Sequence, residues 1–156
     1  MTQACATLFT DAYKPKPGFI SQTFTATSAS IHAGLAIVKE VLDGGYLGED
    51  GKIMGFHKHF VGHLQRIAQQ HPAWLQGPFG LGTMIGFSVL DGSEKTAKEF
   101  LQQLFKNGVL AFGAGHTPSR IRFLIPVGGV TFADIDQVCQ IIERTLSEIA
   151  QITKGH

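Results

Sequence analysis

The sequence predicts an α+β fold: a small, largely antiparallel sheet with helices on one face, preceded by two helices. Three observations predict it. From Trp74 onward the apolar pattern switches between strand and helix periods in the order β-β-α-β-β-α. Two amphipathic stretches, around residues 28–43 and 52–70, come before that run. At 156 residues and 44% apolar, the chain is near the commonest size for one domain and can bury a real core.

Residues 3–9, QACATLF, read as a short buried strand, and residues 19–24 as a second extended piece. Between them Pro15 and Pro17 exclude helix interior and central strand alike. The first helix starts with Thr27 or Ser28 as N-cap, places Ile31, Leu35, Val38 and Leu42 on one face, and stops at Gly44-Gly45. The second runs from about Lys52 to Gln70 with a stripe of Ile53, Phe56, Phe60, Leu64 and Ile67, and Pro72 lies just past it. Leu75–Phe79 and Thr83–Leu90 are strands linked by Gly80–Gly82. Ser93 caps a third helix, Glu94–Lys106, whose inward face is Ala97, Phe100, Leu101, Leu104 and Phe105; Asn107-Gly108 ends it. Val109–Phe112 and Arg120–Ile125 are two further strands. Thr131, with Asp134 in the first turn, caps the last helix, which buries Ile135, Val138, Cys139, Ile142, Leu146 and Ile149. Residues 153–156 are expected to fray.

The net charge is +1 with both signs scattered, and no basic stripe runs beside aromatics, so no nucleic-acid partner is expected. No apolar run approaches the length of a membrane span and no leader pattern opens the chain, so no membrane partner is expected either. Cys5 and Cys139 do not make a disulfide framework; reduced thiols and a cytoplasmic location fit them.

Four groups of residues could carry chemistry. Thr23, Thr25, Thr27, Ser28 and Ser30 lead into a helix N-terminus, an arrangement suited to an anion such as phosphate and equally to an ordinary cap. Arg120 and Arg122 alternate with Ile121 and Phe123, so on a strand both arginines share a face. Two guanidinium groups there can clamp a carboxylate, or simply be surface cations. His116, just before them on a loop, can line the same place or belong to a turn. His59 and His63 have the i, i+4 spacing of a metal pair, with His57 nearby, but Phe60 stands where a zinc protease has its glutamate. The local sequence holds no third ligand, so no metal is expected. Cys139 reads as packing, and Gly80-Leu81-Gly82 lacks the spacing of a dinucleotide fingerprint.

The order of blocks is distinctive: Thr23-Phe24 ahead of a small-residue helix, Gly77–Phe87 as GPFGLGTMIGF, then Ile121-Arg122-Phe123 before Pro126 and a final helix. This order resembles the C-terminal portion of class III, fold type I, pyridoxal-phosphate-dependent aminotransferases, the group of the ornithine, acetylornithine, 4-aminobutyrate and lysine ε-aminotransferases. The resemblance implies that residues 1–24 are a tail belonging to a large domain and residues 25–156 the small C-terminal domain. It implies that Thr23 binds the cofactor phosphate of the neighbouring subunit, although Thr25-Ala26-Thr27-Ser28 replaces the Gly-Gly-Asn-Pro usual after that position. It implies that Arg122 binds the substrate carboxylate. Arg120 competes for that role, because the family's proline comes sooner after the arginine than Pro126 does. Gly80, Leu81 and Gly82 match a structural turn of the small domain.

Thr2-Gln3-Ala4-Cys5 looks like the segment that follows the family's Schiff-base lysine in lysine ε-aminotransferase-like members. By this resemblance the chain starts just after that lysine. None of Lys14, Lys16, Lys39 or Lys52 stands in its place, so no catalytic residue is assigned. The expectation is an aminotransferase fragment, inactive alone, from a homodimeric parent that uses pyridoxal phosphate to move an amino group between a donor and a 2-oxo acid. The fragment itself is expected to hold no cofactor stably. The alternative is a freestanding α+β module that binds a small anionic ligand on the Arg120/Arg122 face.

Overall fold

The computed structural model describes residues 10–13, 16, 18 and 27–154, with side chains to residue 151. The expected strands at 3–9 and 19–24 lie outside the described residues, as do Thr23 and Cys5. The chain divides at Tyr46–Leu47 into two units.

The first unit contributes helix α1, Ser28–Asp43. Thr27 is its N-cap, but the Thr27 hydroxyl donates to Ser30 Oγ (2.7 Å) instead of satisfying a backbone N–H. Gly44 closes the helix through its N–H to the Glu40 carbonyl, and Gly45 turns the chain away in the left-handed region. The expected apolar face is present, but Ile31, Leu35, Val38 and Leu42 are all exposed.

The second unit holds α2 (Lys52–Gln70), β1 (Leu75–Leu81), β2 (Met84–Val89), α3 (Glu94–Lys106), β3 (Phe112–Ala114), β4 (Arg120–Leu124) and α4 (Phe132–Lys154). The four strands form one antiparallel sheet in the order β1-β2-β4-β3. Period-two alternation assigns its faces. Ile85, Phe87 and Val89 of β2 and Ile121 and Phe123 of β4 point to one side and are buried. The three helices supply most of the rest of that core: Phe56, Phe60, Leu64 and Ile67 from α2; Ala97, Phe100 and Leu104 from α3; Ile135, Cys139, Ile142, Leu146 and Ile149 from α4, with Leu75, Val109 and Ile125 completing it.

Capping fixes two of the helices. Ser93 Oγ accepts from the Thr96 N–H at the start of α3. Thr131 and Asp134 form a reciprocal box at the start of α4: the Thr131 N–H donates to Asp134 Oδ2 (2.7 Å) and the Asp134 N–H to Thr131 Oγ1 (3.3 Å). Those hydrogen bonds, the backbone one foremost, hold the Asp134 carboxyl below the usual range.

Two expectations need correction. The third strand is Phe112–Ala114, not Val109–Phe112. The Val109 N–H still belongs to the end of α3, where it donates to the Leu104 carbonyl across Gly108. Phe105, expected inward, is 67% exposed. It falls one step beyond the stripe that Ala97, Phe100 and Leu104 bury.

Candidate functional site

Arg120 and Arg122 lie on the sheet face opposite the helices, as alternation along β4 predicted. On that face β2 contributes Met84, Gly86 and Ser88, β1 contributes Phe79 and Leu81, and β3 contributes Phe112 and Ala114. The register sets their neighbours. Arg122 sits between Gly86 of β2 and Phe112 of β3, and Arg120 lies beside Ala114. Phe79 is opposite Gly86 across the β1–β2 pair. Gly86 contributes no side chain between Phe79 and β4.

The two arginines differ in what they touch. The Arg120 guanidinium lies over the Phe79 ring, 4.7 Å from its centroid, a cation–π contact. Phe79 reaches it because a bulge between Gln76 and Phe79, at Gly77-Pro78, re-aims the end of β1. Among the described residues Arg122 has no such partner. Its Nε is fully buried and has no hydrogen-bond partner among the described residues. Ser88 Oγ, also on this face, is buried in the same condition, beneath Gly92. A buried guanidinium N–H left unpaired costs free energy until an acceptor arrives. A carboxylate, which takes parallel N–H donors in plane, is the natural acceptor.

Around these polar groups the face is apolar and open: Phe79, Leu81, Met84, Phe112 and Leu124 are all exposed. Such a contiguous patch marks an interaction surface more often than bare solvent. His116 does not line it; its ring is 89% exposed and 3.7 Å from Glu94 Oε2 at the start of α3. A separate apolar cleft of about 250 Å³ opens beside α4, lined by Val109, Phe123, Ile125, Val130, Ile135 and Val138. The Asp134 carboxylate at its rim is committed to Thr131.

The histidines of α2 separate into two kinds. His57 Nδ1–H donates to the Gly82 carbonyl (2.9 Å) and ties α2 to the β1–β2 turn. His59 and His63 converge on a residue that the local sequence does not contain. Asp136 Oδ1, from α4, accepts from His59 Nε2–H (2.6 Å) and His63 Nε2–H (2.8 Å). These bonds, that of His59 foremost, hold the Asp136 carboxyl below the usual range. One turn further on, Cys139 is buried, and that burial pushes its thiol up to about 12. It is packing, as expected, and no nucleophile.

No protein-family profile matches the chain. Among curated proteins it is 31% identical over 135 residues to the acetylornithine aminotransferase of Caldanaerobacter subterraneus subsp. tengcongensis, covering 86% of this chain and 32% of that protein. It is 29% identical over 112 residues to the acetylornithine aminotransferase of Prochlorococcus marinus, covering 72% and 26%. Among solved structures, lysine aminotransferase from M. tuberculosis superposes with a TM-score of 0.72 at 22% identity, over 85% of this chain and 29% of that one. Acetylornithine aminotransferase from Elizabethkingia anophelis gives 0.69 at 21%, over 86% and 32%. The chain thus spans about a third of the length of the curated relatives it matches. Its resemblance to class III aminotransferases is carried by sequence relatives and by fold.

Proposed function

We propose that this chain is the small C-terminal domain portion of a pyridoxal-phosphate-dependent class III aminotransferase, and that Arg122 binds the carboxylate of its substrate. The observation that carries the arginine assignment is the buried, unpaired Nε of Arg122 on the open face of the sheet. Arg120 is the weaker candidate because its guanidinium is already engaged over Phe79. The unpaired Ser88 hydroxyl on the same face supports a polar occupant there.

Pyridoxal phosphate supplies the electron sink for amino transfer when bound. No strand of the sheet carries a lysine, so this face offers that group no Schiff-base partner. Its part is to hold and orient the substrate carboxylate. In the same proposal Thr23, outside the described residues, holds the cofactor phosphate of the neighbouring subunit of a homodimer. The exposed apolar patch around Arg122 supports a face that meets the rest of a larger protein.

Two experiments test this reading. The 156-residue chain, mixed with pyridoxal phosphate and reduced with borohydride, is expected to show no single stoichiometrically labelled lysine and no transaminase turnover; finding both overturns it. In the full-length parent, Arg122→Lys is expected to raise KM for the carboxylate substrate while Arg120→Lys leaves it nearly unchanged. The reverse result moves the assignment to Arg120. The unpaired Nε also serves a second reading, a freestanding module for a small anion. Tight binding of a 2-oxo acid by the isolated chain, lost in Arg122→Lys, favours that one.

A further inference from the structure

We propose that His59, His63 and Asp136 form a binding site for one late first-row divalent cation, zinc being the chief candidate, clamping α2 to α4. This goes against the absence of a metal expected from the sequence, which had only the local pair to judge. It stands apart from the arginine face and does not depend on the aminotransferase reading.

The geometry carries it. His59 and His63 are one turn apart on α2, so their rings project from the same stripe, and they meet edge to face with centroids 4.9 Å apart. Asp136 reaches them from α4, and both Nε2 atoms aim at its one Oδ1 oxygen. The three donor atoms lie within 4.8 Å of one another. Three ligands around one tetrahedral ion, each at about 2.1 Å, stand roughly 3.4 Å apart. The ion therefore takes the place of the two Nε2 protons, which leave to solvent or pass by tautomerisation to Nδ1, and small side-chain rotations admit it.

The chemistry fits as well. Two imidazoles and one carboxylate suit zinc, cobalt, nickel or copper and not magnesium or calcium, which prefer all-oxygen shells. Phe132 packs against the edge of His59 (5.0 Å) and stacks on Phe56 (4.5 Å), which fixes the His59 ring. The three side chains are 34%, 29% and 45% exposed, so an ion enters from solvent without any opening of the core. Three protein ligands leave a fourth position for water.

The experiment uses the full chain, stripped with EDTA and dialysed. Zinc is titrated calorimetrically and cobalt by its visible ligand-field absorption. One equivalent of zinc per chain is expected, with a rise in melting temperature. The His59→Ala, His63→Ala double variant should lose saturable binding, and Asp136→Asn should weaken it on the order of tenfold or more. His57→Ala should leave affinity unchanged. A second measurement needs no variant: zinc should protect His59 and His63 of the wild-type chain from acylation by diethylpyrocarbonate, mapped by mass spectrometry, while His32 and His116 stay reactive. No saturable binding by the wild-type chain, unchanged binding in the double variant, or equal acylation of His59 and His63 with and without zinc overturns the proposal and leaves a hydrogen-bonded clamp between two helices.

Discussion

The two faces of the sheet are made from alternate residues of the same strands, and they do different work. Along β4, Ile121 and Phe123 turn into a core closed by three helices, while Arg120 and Arg122 turn to the open side. The covered face sets stability. The open face keeps an unpaired guanidinium N–H, an unpaired hydroxyl and a field of exposed apolar side chains, none of which a folding unit needs for itself. Alternation in a single strand is enough to separate structure from recognition.

The widest gap between the faces should appear in stability. Phe87→Ala removes a fully buried ring that touches Phe100 and Phe123, and should cost about 3–5 kcal/mol in urea unfolding. Leu81→Ser on the open face should stay within about 0.5 kcal/mol. Comparable losses would break the division. Ligand binding should invert the order. In the full-length aminotransferase proposed above, Arg122→Lys should weaken carboxylate binding by about 1.5–3 kcal/mol, read from KM, with the melting temperature nearly unchanged.

Smaller effects sharpen the picture at the helices that cover the core. Thr131→Ala removes the cap of α4 and should cost about 1 kcal/mol in thermal or urea unfolding. The Arg66–Glu143 pair (2.7 Å) joins α2 to α4 at the surface, and its hydrogen bond holds the Glu143 carboxyl below the usual range. A depressed carboxyl stabilises the fold above its unfolded pKa and ceases to do so as pH falls through the folded value. Comparing wild type with Glu143→Gln should therefore show a difference of less than about 1 kcal/mol at neutral pH that vanishes in acid.

Much of this was legible in the sequence. The boundaries of α3 followed from an apolar stripe between Ser93 and Asn107-Gly108, and those of α2 from its stripe and Pro72, signals that are local in sequence. The shared face of Arg120 and Arg122 followed from alternation alone. Three things were not legible, each for a physical reason. β3 was misplaced because its own residues, Phe112-Gly113-Ala114, carry little strand pattern, and Val109 is spent on ending α3. Which arginine is engaged depends on Phe79, which follows a bulge on a strand some forty residues earlier. Asp136 lies 73 residues from His63, and only the packing of α4 on α2 brings them together. The i, i+4 histidine pair was the one local signal for that cluster.

The sheet order has a consequence for assembly. Among the described residues β1 and β3 are the edges, where unpaired N–H and C=O groups invite another strand to add on. Both are poor templates. β3 offers three residues, and β1 is broken by its bulge and by Pro78, which has no N–H to give. A unit with so much exposed apolar surface would otherwise be at risk of growing into fibrils. Blunted at both rims, it presents its broad side as the better surface for meeting other proteins, one where side chains rather than backbone groups choose the partner.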